Sequence, residues 1–395
     1  MHETDIAIIG GGLAGATAAA MLGRAGIAAT VIDPHPIYPP DLRCEKLDGA
    51  QAEILRRTGL GELVLPATTH DGSQHDGAVW IARFGRLIDK RPGDQYGILY
   101  DDLVNTVRGT IPRDLPFITA KATGITASDD RQEIALSNGE RLSARLVVLA
   151  NGLSVGLRDQ LGLERRVISP CHSITIGFDI KPRRRARFPF AAMTYYPETP
   201  AARMAYLTLF PIGETMRANL MVYRDMDDPW LREMRRDPEA SLHELMPHLR
   251  RLTGDFEVTG AVKIRPADLY VTEGHRRAGV VLVGDAFCTS CPAVGAGTGK
   301  VFTDVERLCS VYIPQWLATP GMGADKIGAF YDDPVKQACD ASSAFRAFQL
   351  RAISTETSLG WHIQRWARFA VRAGIGLSRQ VRATLAPRPL SPFRP

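Results

Sequence analysis

The chain lacks several things, and each absence removes a class of protein. No uncharged apolar run approaches the roughly 18 residues needed to cross a bilayer, so no membrane-spanning helix is expected. Six cysteines, at 44, 171, 288, 291, 309 and 339, are scattered too widely over 395 residues to form a disulfide framework. That usage fits a reducing compartment. No second Cys-x-x-Cys and no His-x-x-x-His stands ready to complete Cys288-Thr-Ser-Cys291 as a zinc site, so no metal is expected. The start, MHETDIAIIGGG, has no signal-peptide layout. Acids and lysines are absent from residues 361–395, which hold seven arginines; the net charge is +5, so the rest of the chain sums to −2. A body this close to neutral offers nucleic acid no electrostatic footprint. The expectation is a cytoplasmic body with a basic tail that provides a second option, membrane association.

The residues that are present suggest two domains, or one with a sizeable insertion, because 395 residues exceed one ordinary domain. Residues 5–9 (DIAII) read as a buried strand, 13–24 as an alanine-rich helix and 28–32 as a second strand closed by Asp33. Strand, glycine turn, helix, strand and acid within about thirty residues make a βαβ unit. Helices are expected at 45–58 and 100–109, and buried strands at 145–150 and 279–283. Between them the texture changes. Residues 172–180 and 204–224 alternate apolar and polar residues, with a turn at PIGE. Residues 229–252 carry helical spacing broken by Pro238 and Pro247.

The sharpest motif is Gly10-Gly11-Gly12-Leu13-Ala14-Gly15, followed by Asp33. Gly10 permits a tight turn, Gly12 lets the backbone approach a pyrophosphate, and Gly15 lets the helix pack closely on the sheet. The helix start then offers free amides to phosphate, and Asp33 can accept from ribose hydroxyls. A second motif, Gly284-Asp285-Ala286-Phe287, leads to Pro292 and to Gly295-Ala296-Gly297-Thr298-Gly299. An acid at a strand end suits a ribityl hydroxyl, and another exposed helix start suits negative charge on a reduced flavin. A NAD dehydrogenase has no need of this second motif, so the pair points to FAD.

The order of these motifs resembles the class A flavoprotein monooxygenases of the para-hydroxybenzoate hydroxylase-like, aromatic-ring hydroxylase family, over about residues 1–310. The family's middle motif stands here as Asn151-Gly152-Leu153-Ser154-Val155-Gly156-Leu157-Arg158, with an amide in place of its acid. The resemblance implies an α/β fold: a Rossmann-type FAD-binding domain (GR2-like) with an inserted antiparallel β-sheet substrate domain and a C-terminal helical segment. Its expected bounds are 1–75, 100–165 and 266–340 for FAD binding, 76–99 and 166–265 for the substrate domain, and 341–395 for the helical, basic amphipathic tail. It further implies cofactor contacts at Arg43, with an FAD phosphate or the nicotinamide cofactor, and at Ala122 and Gly152, and Tyr100 stands where the family commonly has an arginine. The implied activity is hydroxylation of an aromatic or other electron-rich small molecule, with NAD(P)H reducing FAD and O2 forming a flavin C4a-hydroperoxide. Small molecule and O2 are then the partners. A reductase or dehydrogenase of the geranylgeranyl reductase-like type is the alternative. A halogenase is disfavoured by the lack of a Trp-x-Trp-x-Ile-Pro segment, and a non-enzymatic flavoprotein is a third reading. The catalytic residues stay open.

Other features have ordinary readings. Cys288 and Cys291 read as small loop residues rather than a redox dithiol, and KPRRRAR at 181–187 as a solvated turn. Tyr195, Tyr206 and Tyr223 are candidates for the substrate pocket, although aromatic strand residues more often serve the core. His172 and His275 are weak candidates for acid or base. In the tail, Leu359, Ile363, Trp366, Phe369, Ala370, Ala373, Leu377 and Val381 share a helical face opposite Arg365, Arg368, Arg372, Arg379 and Arg382. That face either docks on the body or on a second subunit as a homodimer, or lies in a membrane interface. Gly374 and Gly376 are expected to weaken the helix, and PRPLSPFRP to be disordered.

Overall fold

The computed structural model describes residues 2–73 and 77–385, so the expected disorder at the Pro-rich end falls outside the described residues. Strand β1 (His2–Ile9), helix α1 (Leu13–Arg24) and strand β2 (Ala29–Asp33) form the βαβ unit. Their β-branched and aliphatic residues are wholly buried because both faces of the sheet are covered. The sheet runs Phe117–Thr119, β2, β1, Arg141–Leu149, Gln132–Leu136 and Ala122–Thr126. Val280–Leu282 pairs in parallel with the second half of Arg141–Leu149, so β1 and Val280–Leu282 flank that strand. α1 lies on the sheet through alanines at every turn, and Gly15 sits where an added Cβ would be 1.8 Å from the Gly10 carbonyl oxygen.

A second seven-stranded sheet carries the alternating segments, in the order Phe256–Glu273, Glu164–Pro182, Thr215–Val222, Met204–Ile212, Ala192–Tyr195, Ala78–Arg83 and Arg86–Pro92. Its two longest strands pair antiparallel with each other, and positions 166 and 265, expected as domain boundaries, fall within them. The PIGE turn joins Met204–Ile212 to Thr215–Val222. The 229–252 region forms Pro229–Arg236, Pro238–Leu245 and Arg250–Thr253, with prolines starting the first two helices rather than merely interrupting one. Asp228 and Asp237 cap them by accepting from backbone N–H groups. The expected helix at 45–58 is shorter, Gly49–Arg57, because Lys46–Leu47 pairs instead as a two-residue strand with Tyr96–Gly97.

At the C-terminal side, helix Gly297–Arg307 is tied to helix Pro334–Thr355 by a buried square of charges. Lys300 and Lys336 each meet both Asp304 and Asp340 at 2.8–3.0 Å. Such a square fixes the helix register, since a slip would leave a buried charge unpaired. The last helix, Leu359–Leu385, lies along Arg86–Pro92. Phe84 stacks on Trp366 and meets the Phe369 edge, and Gly376 lies so close to the Ile88 carbonyl that an added Cβ would be 2.2 Å from its oxygen. The glycine expected to weaken this helix is therefore its docking point. Leu359, Ile363 and Val371 stay exposed. The 181–187 run pairs with acids, Lys181 with Glu257 and Arg183 with Glu239 and Glu257, as a surface turn does.

Gly15→Ala is expected to cost about 1–3 kcal/mol, read as a lowered thermal unfolding midpoint of the apoprotein. Gly156→Ala, where an added Cβ meets nothing within 4 Å, should be neutral or slightly stabilising. Equal midpoints for the two variants would contradict this packing argument.

Candidate functional site

One cavity of about 700 Å³ runs from the glycine turn after β1, past Arg43 and Asp285, to the inner face of the second sheet. Two helices open on it. α1 and Gly297–Arg307 both begin with no side-chain cap and no acid in the first turn. The other helices of eight or more residues with assigned caps have one or the other: Asp48, Asp228, Asp237 and Asp333 cap theirs, while Asp101, Asp102 and Asp325 supply a first-turn acid. An uncapped helix start is a set of N–H donors with partial positive charge. Two on one cavity call for a ligand with anionic or electron-rich groups at separate points along its length.

The rest of the lining fits FAD. Gly10 has φ +104°, and an added Cβ would lie 2.5 Å from the Ala150 carbonyl oxygen, so the turn admits glycine alone. Gly12 instead faces open cavity, where an added Cβ would meet nothing nearer than Tyr38 at 3.8 Å. The Asn151 amide oxygen is buried on the lining without a hydrogen-bond partner, an acceptor aimed at a missing donor. Asp33 accepts from Gly11 N at 2.7 Å and from His35 N at 2.8 Å and also lines the cavity, with lone pairs left for a ribose.

Gly10, Gly12, Leu13, Ala14, Asp33, Arg43, Gly152, Asp285, Pro292, Gly295, Gly297 and Thr298 line the cavity together. The remaining expected residues are not on that lining. Gly15 packs on Gly10, Gly284 sits between Ala14 and Val301, and Gly299 faces Gln51. Ala296 is the residue before the second helix, and Ala122 is buried in the edge strand Ala122–Thr126. Arg43 is gripped by Asp41 at 2.7 Å and Asp285 at 2.5 Å and stands 5.7 Å over the Tyr100 ring. Burial opposes its charge, but the Tyr100 hydroxyl and the two carboxylates outweigh burial and raise its pKa.

Of the three tyrosines, Tyr206 lines the cavity, and its hydroxyl donates to the Ala293 carbonyl. Tyr195 turns the other way, donating to Glu198 at 2.6 Å and accepting from Gly85 N. Tyr223 is buried with Cys291 and Ala347. His172 and His275 are also away from the lining, and burial lowers the pKa of each. Burial pushes the Cys288 thiol up to about 11, which disfavours the thiolate that dithiol chemistry needs.

The sequence reading missed a polar patch on the sheet side. Glu45, Lys46, Gln95, Thr175, Thr208 and Asn219 line the cavity there. The Glu45 carboxylate accepts from buried Arg217 at 2.8 Å, and Arg217 also reaches Asp179 at 3.1 Å. Burial raises the Glu45 pKa against the pull of Arg217. The sequence signal was an arginine and an asparagine two residues apart inside an apolar strand, Arg217 and Asn219, which places both on one buried face.

Comparison with known proteins agrees with this geometry. The model of a family described as FAD binding domain matches residues 3–312. The 3-demethoxyubiquinol 3-hydroxylase of Escherichia coli (strain K12) is 27% identical over 335 residues, 79% of this chain and 80% of the relative. The 3-amino-4-hydroxybenzoate 2-monooxygenase PtnB3 of Streptomyces platensis is 32% identical over 171 residues, 40% of this chain and 42% of its own. Among solved structures, the p-nitrophenol 4-monooxygenase PnpA from Pseudomonas putida DLL-E4 superposes with TM-score 0.74 at 17% identity, covering 95% of both chains. The flavin-dependent brominase Bmp2 superposes with TM-score 0.68 at 17% identity, covering 95% of this chain and 94% of its own. At these identities the two structures show a shared fold.

Gly12→Val should separate folding from binding. Its φ of −68° suits any residue and the space is open, so apoprotein stability should stay within about 0.5 kcal/mol. FAD affinity, followed by flavin fluorescence, should fall at least about tenfold, because the new side chain fills the place of the pyrophosphate. Unchanged FAD affinity would remove the cofactor from this turn.

Proposed function

The chain belongs to the FAD-binding-domain family and is a class A flavoprotein monooxygenase; from that premise we propose that it hydroxylates an aromatic or other electron-rich small molecule, using NAD(P)H and O2. The observation that carries this reading is that one cavity joins two uncapped helix starts to the polar face of an antiparallel sheet. Bound there, FAD would supply the redox chemistry of a hydroxylation that draws on NAD(P)H and O2.

The chain's own residues bind, orient and exclude water. The amides at Gly12–Ala14 would hold the phosphates, and those at Gly297 and Thr298 would stabilise negative charge on the reduced flavin. Arg43, held by Asp41 and Asp285, closes the middle of the cavity. Tyr206, Met221 and Val294 give the reacting end an apolar wall, and water kept out there cannot compete for the activated oxygen. The two relatives above are named for rings that bear hydroxyl groups, which supports an electron-rich ring as substrate.

The test uses FAD-loaded protein with NADH or NADPH and a panel of phenols, quinols and aminohydroxybenzoates. Nicotinamide oxidation coupled to a product heavier by one oxygen is expected, with labelled O2 supplying that atom. A product formed without oxygen would replace this reading with the reductase alternative.

A separate element carries the partner reading. Residues 359–385 contain no acid, and Leu359, Ile363 and Trp366 are 76%, 62% and 55% exposed. An apolar face set among arginines fits an anionic lipid surface. The full chain is expected to float with vesicles containing phosphatidylglycerol and not with phosphatidylcholine alone, and Leu359→Ser/Ile363→Ser/Trp366→Ser should abolish flotation. A dimer in sedimentation that the same triple variant dissociates, without flotation of the parent chain, would assign the face to a second copy.

A further inference from the structure

We propose that Lys46 anchors the substrate by its ionised ring hydroxyl, so that the cavity takes an aromatic molecule as a phenolate held at its sheet end. This rests on the hydroxylase reading and adds the group that selects and activates the ring. Four cations line the cavity: Arg43, Lys46, Arg165 and Arg265. Three are already matched by carboxylates, Arg43 by Asp41 and Asp285, Arg265 by Asp41, and Arg165 by Asp268. Lys46, among the described residues, is left without an ion pair. Its Nζ donates to the neutral Gln95 Oε1 at 2.7 Å and stands 5.1 Å over the Phe210 ring. An ammonium has three donors, so two remain. A half-buried cation beside an amide and a ring, on the wall of a cavity, lacks a paired carboxylate.

The charges around it do not fill that role. Cys44 and Asp48 flank it in sequence, and Asp71 and Asp94 act on it at longer range from the neighbouring loops. Asp71 accepts from Gln95 N at 3.0 Å, and burial raises its pKa. Glu45, the adjacent carboxylate, is occupied by Arg217 and Asn219. Thr175, Thr208 and Asn219 add polar atoms on the facing strands.

The chemistry follows from the charge. Burial lowers Lys46 to about 8, so the ammonium predominates at neutral pH while staying able to exchange its proton. A phenol hydroxyl ionises near pH ~10 in water, and a cation about 4–6 Å away lowers such a pKa by roughly 1–3 units. A phenol meeting the neutral amine and a phenolate meeting the ammonium reach the same complex: the phenol O–H bond is broken and the proton resides on Nζ. No electron moves in this step. The phenolate oxygen then feeds density into the ring, the condition under which an electrophilic oxygen attacks carbon.

The test reads the bound phenol without turnover. Full-length, FAD-loaded, oxidised protein is titrated with 4-nitrophenol, and difference spectra across pH give the apparent pKa of the bound probe. In the parent protein that pKa should fall at least about one unit below the free value. Lys46→Met should abolish the shift and weaken binding about tenfold, whereas Lys46→Arg should retain the shift. If the methionine variant loses flavin, Lys46→Gln, which keeps a donor for Gln95, decides. A shift that survives in the neutral variant overturns the proposal, as does a parent protein that binds no phenol probe. Failure of the hydroxylase reading shows separately, as absent oxygen-labelled product, because bound-probe ionisation needs neither NAD(P)H nor O2.

Discussion

Two helices begin uncapped on one cavity, and much of the architecture serves to put them there. A helix start without a side-chain cap leaves as many as four N–H groups unmatched, which a folded chain tolerates where water or a ligand can reach them. α1 follows β1, and Gly297–Arg307 follows Val280–Leu282 by way of the Gly284-Asp285 turn. Those two strands flank Arg141–Leu149 in parallel. Neighbouring strands stand about 4.8 Å apart, so the strand ends that feed the two helices are about 10 Å apart on one edge of the sheet, the edge where open parallel sheets bind ligands. The tight turn at Gly10 and the close approach at Gly15 are what this arrangement demands of the chain. In the proposed site, bound FAD would meet the unmatched donors of both helices.

Charge in the cavity is handled differently at its two ends. Around the cofactor, cations are balanced locally: Arg43 and Arg265 share Asp41, and Asp285 closes the set. Such pairing is compatible with a body of nearly neutral net charge that holds an anionic dinucleotide, if backbone amides at the two helix starts do the binding as proposed while the side chains hold one another in place. At the sheet end, Arg217 bridges Glu45 to Asp179. That buried bridge ties the segment after Arg43 to the second sheet. Taking away Arg217 would leave Glu45 buried and unpaired, a costly state. With the segment pinned, the Lys46 amine is held in the gap between the cofactor cradle and the sheet.

Local features were legible in the sequence, and features made by distant pairing were not. The glycine turns, α1, the helix from Tyr100 and the PIGE hairpin each depend on residues within a few positions of one another. Lys46 was invisible because its strand has only two residues and exists through pairing with Tyr96–Gly97, some fifty positions later. The three pocket tyrosines show the same limit. Alternation tells which residues share a face but not what that face meets. Tyr206 meets the cavity, Tyr195 meets Glu198, and Tyr223 is buried against the loop that carries Cys291.

The tail makes the point in its strongest form. Its helical wheel displays an apolar stripe opposite arginines, and the usual inference is that the stripe faces the body. A glycine reverses that inference for much of the stripe. Backbone can approach backbone most closely where there is no Cβ, and Gly376 brings the helix onto the Ile88 carbonyl, while Phe369 and half-buried Arg365 also turn inward. With that side committed to the hairpin, Leu359 and Ile363 are carried outward. Exposed Arg368 therefore shares its helix with an exposed apolar surface, a combination suited to an external contact.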